Sequence, residues 1–367
     1  MSSETMSFQW YSKKGLESDV VICSRVRFAR NLASFPFSQA CSDDDKRHIQ
    51  SLIFDAFSKF QDAQKFYLAD ISSVEEEKLA ILQERAFLKR IKTLNSKFST
   101  GLIFKSDEDF SCSINCCDHL RFSFFDSGLS IRKCFEQCKK IDSELQDNLQ
   151  FVADYDFGYL TASFRDAGSG MKLSALMHLP FAVRSGKMNN IVQFCKEKKL
   201  GIKPAFFIEE KLAGAAPGCF FIIENLQSQS GTEIDQLADF ESACRFIAES
   251  ERKIFADLAE NKITLIKNSI IRAYSLSKTS LLVSFREALD MISDFRIGLK
   301  IGFLSGITEE NLNKLMYDVQ KNYISYMAKV CSFSFEPDIK NDFDLKKDRL
   351  RAVILQESLE KLSLGNL

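Results

Sequence analysis

The sequence predicts an α+β fold, with a mixed domain of strands and helices followed by a helical domain. Two patterns support this prediction. Segments rich in β-branched and aromatic residues alternate in polarity with a period of two in the first half of the chain, as strands do. After Gly231, apolar residues recur at helical spacing instead. The 367 residues are also enough for two domains, each able to bury a core.

The first strand pattern covers residues 20–27, where β-branched residues are frequent. A period of two places Cys23, Arg25 and Arg27 on one face of the strand and Ser24 on the other. Two guanidinium groups on one face offer planar arrays of donors that suit phosphate oxygens. A solvated strand face with surface ion pairs is the alternative interpretation.

Residues 110–124 alternate in the same way, and we interpret them as one continuous strand. This interpretation places Cys117 and Arg121 on the same polar face and directs Asp118 to the opposite face. Further along, a glycine turn at residues 168–170 precedes a lysine and could bind an anion through backbone amides. That signal is weak on its own, and a plain turn is the favoured interpretation.

Helical patterns begin at Thr232, which forms a predicted capping box with Asp235. Two later apolar stripes at helical spacing are Leu282, Phe285, Leu289 and Ile292, and Leu312, Leu315, Val319 and Tyr323. We therefore divide the chain into a polar lead-in (1–20), a mixed α/β domain (21–250) and a helical domain (251–367).

The composition excludes several classes of protein. The formal net charge is −1, so the chain lacks the sustained basic field of a nucleic-acid or membrane-surface binder. No apolar stretch approaches the roughly 18 residues of a membrane helix and no signal-peptide pattern is present, so we expect a cytoplasmic protein. The 11 cysteines follow no disulfide framework, which favours buried thiols in a reducing compartment.

The run from Asn115 to Arg121 reads Asn-Cys-Cys-Asp-His-Leu-Arg. It resembles the Asn-Glu-Glu-Asp-His-Leu-Arg signature of the ATP:guanido phosphotransferases, with both glutamates replaced by cysteine. Further segments, in the order of the chain, resemble the protein-arginine kinases of the McsB type within this family. They lie at residues 17–31, 118–121, 158–161, 178–180, 294–298 and 347–352.

This resemblance implies a phosphagen-kinase-like fold, in which helices flank a curved antiparallel sheet and a helical domain follows. In the family, ATP with Mg²⁺ lies across the sheet and arginines clamp its phosphates. The resemblance assigns nucleotide binding to Ser24, Arg25, Arg27, Arg85, Arg121, Lys172 and Ser174. Lys172 stands in place of a fourth clamp arginine, and a fifth is replaced near Ala205. Cys117 stands at the position of the glutamate that holds and deprotonates the guanidinium.

Two loops also depart from the family pattern. A Cys-Pro-Thr-Asn loop of the family corresponds to residues 163–166, which read Ser-Phe-Arg-Asp. A substrate loop that contains glycine and glutamate is replaced by residues 208–212, Ile-Glu-Glu-Lys-Leu. The departures therefore fall where the resemblance places the chemistry.

The resemblance extends to the helical domain. Lys347, Asp348 and Arg351 match the family's phosphoarginine pocket, and a charged helix start is the alternative interpretation. In the family, this domain supports dimerisation, and the partners are a zinc-binding activator protein and a Clp-type unfoldase. The resemblance therefore implies a homodimer with protein partners.

Three functional hypotheses follow. The leading one is an inactive or severely impaired protein-arginine kinase homologue that acts as a binding or regulatory protein for phosphoarginine or a partner protein. The second is an active protein-arginine kinase that uses another carboxylate, with Asp118, Glu209 and Glu210 as candidates. The third is metal or redox sensing, which the alternation disfavours because it divides the ligands between opposite strand faces. Those ligands are Cys112, Cys116, Cys117 and His119.

Overall fold

The computed structural model describes residues 9–71, 74–88, 100–206, 216–229 and 231–365. Its strands are β1 (Val21–Arg30), β2 (Phe66–Asp70), β3 (Gly101–Lys105), β4 (Phe110–Ile114), β5 (Leu120–Ser127), β6 (Ala153–Asp154), β7 (Gly158–Tyr159), β8 (Met171–His178), β9 (Leu200–Pro204), β10 (Phe220–Asn225), β11 (Leu304–Ser305) and β12 (Ser363–Leu364). Eight of them form one antiparallel sheet in the order β2-β3-β4-β5-β1-β8-β10-β9. Strands β6 and β7, and β11 and β12, form two small separate pairs.

The helices flank this sheet and make up most of the second half of the chain. They are α1 (Asp43–Ser58), α2 (Glu76–Glu84), α3 (Ile131–Gln146), α4 (Pro180–Arg184), α5 (Met188–Glu197), α6 (Glu233–Thr279), α7 (Phe285–Lys300), α8 (Glu309–Asp318), α9 (Lys321–Val330) and α10 (Phe343–Ser358). The predicted α+β class, with an antiparallel sheet and a helical C-terminal region, is confirmed. Within the described ranges, no helix combines the length and the apolar character needed to cross a membrane.

The prediction of one continuous strand over residues 110–124 is wrong. The segment is a hairpin of β4 and β5, and residues 115–119 connect the two strands. Asn115 adopts a positive φ of 57°, a conformation that asparagine tolerates better than most residues and that ends the strand. Cys117 therefore lies in the connection rather than on a strand face. Asp118, predicted to point away from Arg121, instead forms an ion pair with it.

Two further predictions need correction. Tyr323 does not continue the stripe of Leu312 and Leu315, because the chain is extended at Gln320 and a new helix, α9, begins after it. The lead-in over residues 1–20 is not simply polar in its described part. Trp10 is buried and stacks on the ring of Phe125, so this segment is anchored to β5.

The predicted capping box is confirmed, since the Thr232 hydroxyl accepts a hydrogen bond from the Asp235 amide and the Asp235 carboxylate accepts from the Thr232 amide. It begins α6, which runs for 47 residues. The predicted domain boundary at residue 250 falls inside this helix, whose helical geometry is interrupted at Lys262. The stripe beginning at Leu282 belongs to α7 from Phe285 onward.

A buried ion pair holds the central strand to the helix behind it. Arg30, at the end of β1, is fully buried and donates two hydrogen bonds of 2.9 Å to the carboxylate of Asp142 on α3. Its remaining terminal nitrogen donates to the carbonyl of Ser169 in the glycine turn. Gly170 is required there, because a Cβ atom would lie 2.4 Å from the Arg30 guanidinium. The turn is therefore a structural turn that packs against Arg30.

The first prediction concerns this pair. Replacing Asp142 with alanine leaves the Arg30 guanidinium charged and buried without its carboxylate, which should lower the free energy of unfolding by about 3–5 kcal/mol. Urea unfolding measures the change. The control is Asp55→Ala, which removes the exposed pair with Lys59 and should cost less than about 1 kcal/mol. Equal effects of the two variants would contradict the assigned role of Arg30.

A second prediction concerns Glu251 on α6, whose carboxylate accepts hydrogen bonds from the backbone amides of Phe181 and Ala182 at the start of α4. Burial raises the pKa of Glu251 to about 7, although the two amides oppose the shift. The folded protein therefore binds this proton more tightly than the unfolded chain. Its contribution to stability should decrease as the pH rises from about 4.5 through about 7, by up to about 3 kcal/mol.

The measurement is the difference in free energy of unfolding between the wild type and Glu251→Gln across this pH range. The variant carries no proton to lose, and the constant cost of its amide cancels in the pH dependence. The difference should shift in favour of the variant with rising pH. A difference that stays flat between pH 4 and 8 would show that Glu251 does not titrate in this range.

Candidate functional site

One face of the sheet borders a cleft with a volume of about 530 Å³. Strands β1, β5, β8 and β10 form its floor, and the starts of α7 and α9 contribute Phe285 and Lys321 from the helical region. The cationic side chains among its described lining residues are Arg25, Arg27, Arg121, Arg165, Lys172, Lys203 and Lys321. The acidic ones are Glu84, Asp166 and Glu224. Positive charge predominates, as in sites that bind anions.

The register of the sheet brings the basic side chains together. Arg27 on β1 lies directly opposite Lys172 on β8, and Arg25 lies opposite Ser174. On its other side, β1 pairs with β5, which carries Arg121. Because side chains two residues apart share a face, these residues converge on the cleft from three neighbouring strands. The period-two prediction for Arg25 and Arg27 agrees with this placement.

Arg25 is held in place without a carboxylate partner among the described residues. Its Nε and Nη2 atoms donate to the hydroxyl oxygen of Ser123 at 3.2 and 3.0 Å. The guanidinium carbon lies 5.1 Å from the centre of the Phe125 ring. Burial and the neighbouring charge of Arg27 lower the pKa of Arg25 to about 10, so it stays cationic at neutral pH.

Arg27 and Arg121 share one carboxylate, that of Asp166. Nη2 of Arg27 lies 2.8 Å from Oδ2 of Asp166, and Nη2 of Arg121 lies 3.4 Å from the same oxygen. Asp118 holds Arg121 from the other side, at 2.5 Å. Burial alone would raise the pKa of Asp118, but Arg121 brings it below its usual value. The Nε atom of Arg27 is buried and has no hydrogen-bond partner in the described structure.

Lys172 has a different environment from the arginines. Its ammonium lies 3.4 Å from a carboxylate oxygen of Glu224 and donates to the carbonyl of Asn225. Lys203 binds the other oxygen of Glu224 at 2.8 Å. Ser174 and Ala205 also line the cleft. Of the seven residues assigned to nucleotide binding, the cleft therefore contains Arg25, Arg27, Arg121, Lys172 and Ser174.

The other two assigned residues, Ser24 and Arg85, lie outside the described lining of the cleft. Ser24 is buried on the opposite face of β1, where its hydroxyl donates to the carbonyl of Gly128 and accepts from the amide of Ser130. The alternation along β1 is the reason. Arg85 follows α2 and its guanidinium forms an ion pair with Glu108 at 2.5 Å, outside the described lining of the cleft.

Cys117, in the β4–β5 connection, is partly buried and is not among the described lining residues of the cleft. Burial raises the pKa of the neighbouring Cys116 thiol to about 12, which disfavours the thiolate that a metal would need. Among the described residues, no group of three or more histidine, cysteine or acidic side chains could hold a metal ion. The candidate carboxylates Glu209 and Glu210, within the replaced substrate loop, lie outside the described residues.

The predicted phosphoarginine residues lie on α10, away from the described lining of the cleft. Arg351 is buried, donates to the carbonyl of Val319 and pairs with Asp348. Lys347 pairs with Asp344 at 2.6 Å. In this arrangement Arg351 ties α10 to the end of α8.

The sequence patterns identify none of the three carboxylates of the described cleft lining, Glu84, Asp166 and Glu224, as site residues. Asp166 is the last residue of the loop at 163–166 that departs from the family pattern, and this departure is the signal in the sequence that points to it. Glu84, at the end of α2, accepts hydrogen bonds from the backbone amides of Asn322 and Tyr323 at the start of α9. No local sequence pattern predicts this contact, because Glu84 is more than 200 residues away from Asn322 and Tyr323 in the chain.

The arrangement can bind a ligand rich in phosphate oxygens. Guanidinium groups form strong, directional hydrogen bonds to such oxygens, and a partly buried cleft screens them less than open water does. Each of the three carboxylates in the described lining of the cleft, Asp166, Glu224 and Glu84, has a cationic side chain or a backbone amide as its partner.

Comparison with known proteins gives consistent results. Residues 48–254 match the model of the ATP:guanido phosphotransferase C-terminal catalytic domain, and residues 264–366 match that of the protein-arginine kinase McsB C-terminal domain. The chain is similar to the protein-arginine kinase of Syntrophomonas wolfei, with 28% identity over 94% of this chain and 92% of that protein. It is also similar to that of Geobacillus stearothermophilus, with 26% identity over 93% of both chains.

Solved structures share the fold at low sequence identity. A lombricine kinase superposes with a TM-score of 0.58 and 17% identity, over 70% of this chain and 71% of that chain. The duplicated taurocyamine kinase from Schistosoma mansoni, with bound components of a transition state analog, gives a TM-score of 0.57 and 18% identity. That match covers 79% of this chain and 41% of the duplicated chain.

Proposed function

Because the chain belongs to the ATP:guanido phosphotransferase family, we propose that it is a protein-arginine kinase homologue that binds polyphosphates, ATP among them, but transfers phosphoryl groups poorly or not at all. The family assignment made from the sequence motifs is confirmed, and homology to protein-arginine kinases extends over 94% of the chain. The chain would then act as a binding or regulatory protein.

The observation that carries the binding half of this proposal is the convergence of Arg25, Arg27 and Arg121 on one cleft from adjacent strands. Magnesium prefers one or two carboxylates together with phosphate oxygens, so it would arrive with the nucleotide and be held mainly by its phosphates.

The catalytic half rests on position 117. The family signature carries a carboxylate there, and in this chain the residue is cysteine in the β4–β5 connection. A thiol has one weak donor, whereas a carboxylate can accept several hydrogen bonds from a guanidinium. General acid–base assistance is worth about 10²–10⁴ in rate, and each preorganised charge-stabilising donor about 10²–10³. Losing one of each would suppress turnover strongly.

An active kinase is the competing function, and Asp118 is its best described candidate for a base. That carboxylate is engaged by Arg121, by the side-chain amide of Asn31 and by the backbone amide of Ala162. Taking a proton from a substrate would require breaking these contacts. We therefore favour the impaired kinase and make activity the outcome of the test.

The proposal extends to partners by family relationship alone. A homodimer, a zinc-binding activator protein and a Clp-type unfoldase are the expected associations. Recognition of phosphoarginine through Lys347, Asp348 and Arg351 would require Arg351 to exchange its internal partners for the ligand. These expectations are independent of the cleft and would survive the loss of nucleotide binding.

A third prediction tests polyphosphate binding. Replacing Arg25 with alanine removes a cleft guanidinium that has only the Ser123 hydroxyl as a side-chain hydrogen-bond partner in the described structure, so ATP should bind about 10–100 times more weakly. Isothermal titration calorimetry with Mg-ATP measures the affinity. The control is Arg132→Ala, an exposed residue paired with Glu241 outside the cleft, which should bind as the wild type does. Equal affinities of both variants would place the nucleotide elsewhere.

A fourth prediction concerns turnover. Incubation with ATP and an arginine-rich protein should yield acid-labile phosphoarginine at a rate several orders of magnitude below that of the Geobacillus stearothermophilus protein-arginine kinase, run as the positive control. Replacing Cys117 with glutamate should raise the residual rate by about 10² or more. Efficient turnover by the wild type that disappears in Arg121→Ala would overturn the proposal of impaired catalysis.

A further inference from the structure

Four of the seven cationic side chains in the described lining of the cleft are paired with carboxylates of the same chain. Glu224 lies between Lys172 and Lys203, and Asp166 lies between Arg27 and Arg121. In each case one carboxylate contacts two cations, as an oxyanion of a ligand would. The described structure thus contains anions of its own where a phosphate chain would bind.

Asp166 is the more consequential of the two carboxylates because its partners are guanidinium groups. A single oxygen, Oδ2, lies 2.8 Å from Arg27 and 3.4 Å from Arg121. A phosphate oxygen that binds both guanidinium groups must take this position or share it. Two negatively charged groups so close together repel each other, so Asp166 competes directly with a ligand.

The backbone around Asp166 is well anchored. The amide of Ala162 donates to Asp118, the carbonyl of Arg165 accepts from the amide of Ser228, and Gly168 exchanges hydrogen bonds with Tyr159. These contacts do not involve the Asp166 carboxylate. A substitution that preserves the shape of the side chain therefore changes its charge without rearranging the loop.

Arg25 differs from its neighbours because it has only the Ser123 hydroxyl as a hydrogen-bond partner among the described residues. Residues two apart on a strand are separated by about 7 Å. A ligand anchored at Arg25 needs further phosphate groups to reach the guanidinium pair occupied by Asp166. A single phosphate at Arg25 does not displace that carboxylate.

We propose that Asp166 is a specificity-determining residue whose carboxylate takes the place of a phosphate between Arg27 and Arg121. This proposal rests on the proposed function. Asp166 makes the cleft selective for linear polyphosphates, which form enough contacts with the cationic side chains to displace its carboxylate or to bind beside it. It excludes single phosphates, which do not. The ligand class is a di- or triphosphate chain, either free or carried by a nucleoside.

The fifth prediction follows from the charge of Asp166. Replacing Asp166 with asparagine retains an oxygen acceptor for Arg27 but removes the negative charge that competes with the ligand. ATP and inorganic triphosphate should each bind at least about tenfold more tightly to Asp166→Asn than to the wild type, at the same ionic strength. Orthophosphate should gain at least as much, so that discrimination against a single phosphate is reduced.

Calorimetric titrations of the full chain with the three ligands provide the test. Asp126→Asn is the matched control, because Asp126 pairs with Lys133 outside the described lining of the cleft, and this variant should bind as the wild type does. Thermal unfolding of each variant verifies that it is folded. Equal gains for ATP and triphosphate support recognition of the phosphate chain alone, and a larger gain for ATP than for triphosphate supports recognition of a nucleoside polyphosphate.

The failures are distinguishable. If the wild type binds ATP and Asp166→Asn binds no more tightly, the role of Asp166 is refuted while the proposed binding function stands. If neither protein binds ATP or triphosphate, both proposals are refuted. If Asp126→Asn shows the same gain in affinity, the effect comes from the change in net charge, and the role assigned to Asp166 is also refuted.

Discussion

The buried pair of Arg30 and Asp142 is the constraint on which the rest of the molecule depends. It fixes the end of the central strand β1 against α3, and through Ser169 it also fixes the turn that leads into β8. The ring of Tyr159 lies 3.6 Å from the Arg30 guanidinium carbon on the same side of the molecule as that turn. Removing two charges from water is costly unless their geometry is good and their other hydrogen bonds are satisfied, as they are here. Strand β1 and its two neighbours are thereby held at the positions that carry the cleft.

From that position the cleft follows by geometry. Strand β1 contributes Arg25 and Arg27, and antiparallel pairing sets Lys172 opposite Arg27 and brings in Arg121 from β5. No flexible loop is needed to bring these charges together. The opposite charge comes from three places: Asp166 lies on the connection between β7 and β8, Glu224 on β10 and Glu84 at the end of α2. The electrostatic character of the cleft is therefore a balance between a basic floor and a smaller number of acidic groups.

Local patterns in the sequence were sufficient for some features and misleading for others. Alternation found the faces of β1 correctly because the pairing of that strand is regular from Cys23 onward. The same reasoning wrongly predicts one continuous strand in place of β4 and β5. Polar and apolar residues continue to alternate through the turn between them, which is marked by the left-handed backbone of Asn115. Ser24 was assigned to the cleft by resemblance, against the alternation that places it on the other face. Asp166 could not be found locally, because its partners lie 139 and 45 residues away in the sequence.

The interrupted helix α6 ties the two halves of the chain together. Along its length it contacts β8, α4, α7 and α10. Upstream of Lys262, Glu251 accepts hydrogen bonds from the start of α4, and downstream Ser269 donates to Asp294 on α7 while Ile266 and Ile270 are buried. An α-helix turns by about 100° per residue, so adding or deleting one residue ahead of Lys262 would rotate the whole downstream face away from its neighbours. The length of this helix is therefore constrained by partners on both sides of Lys262.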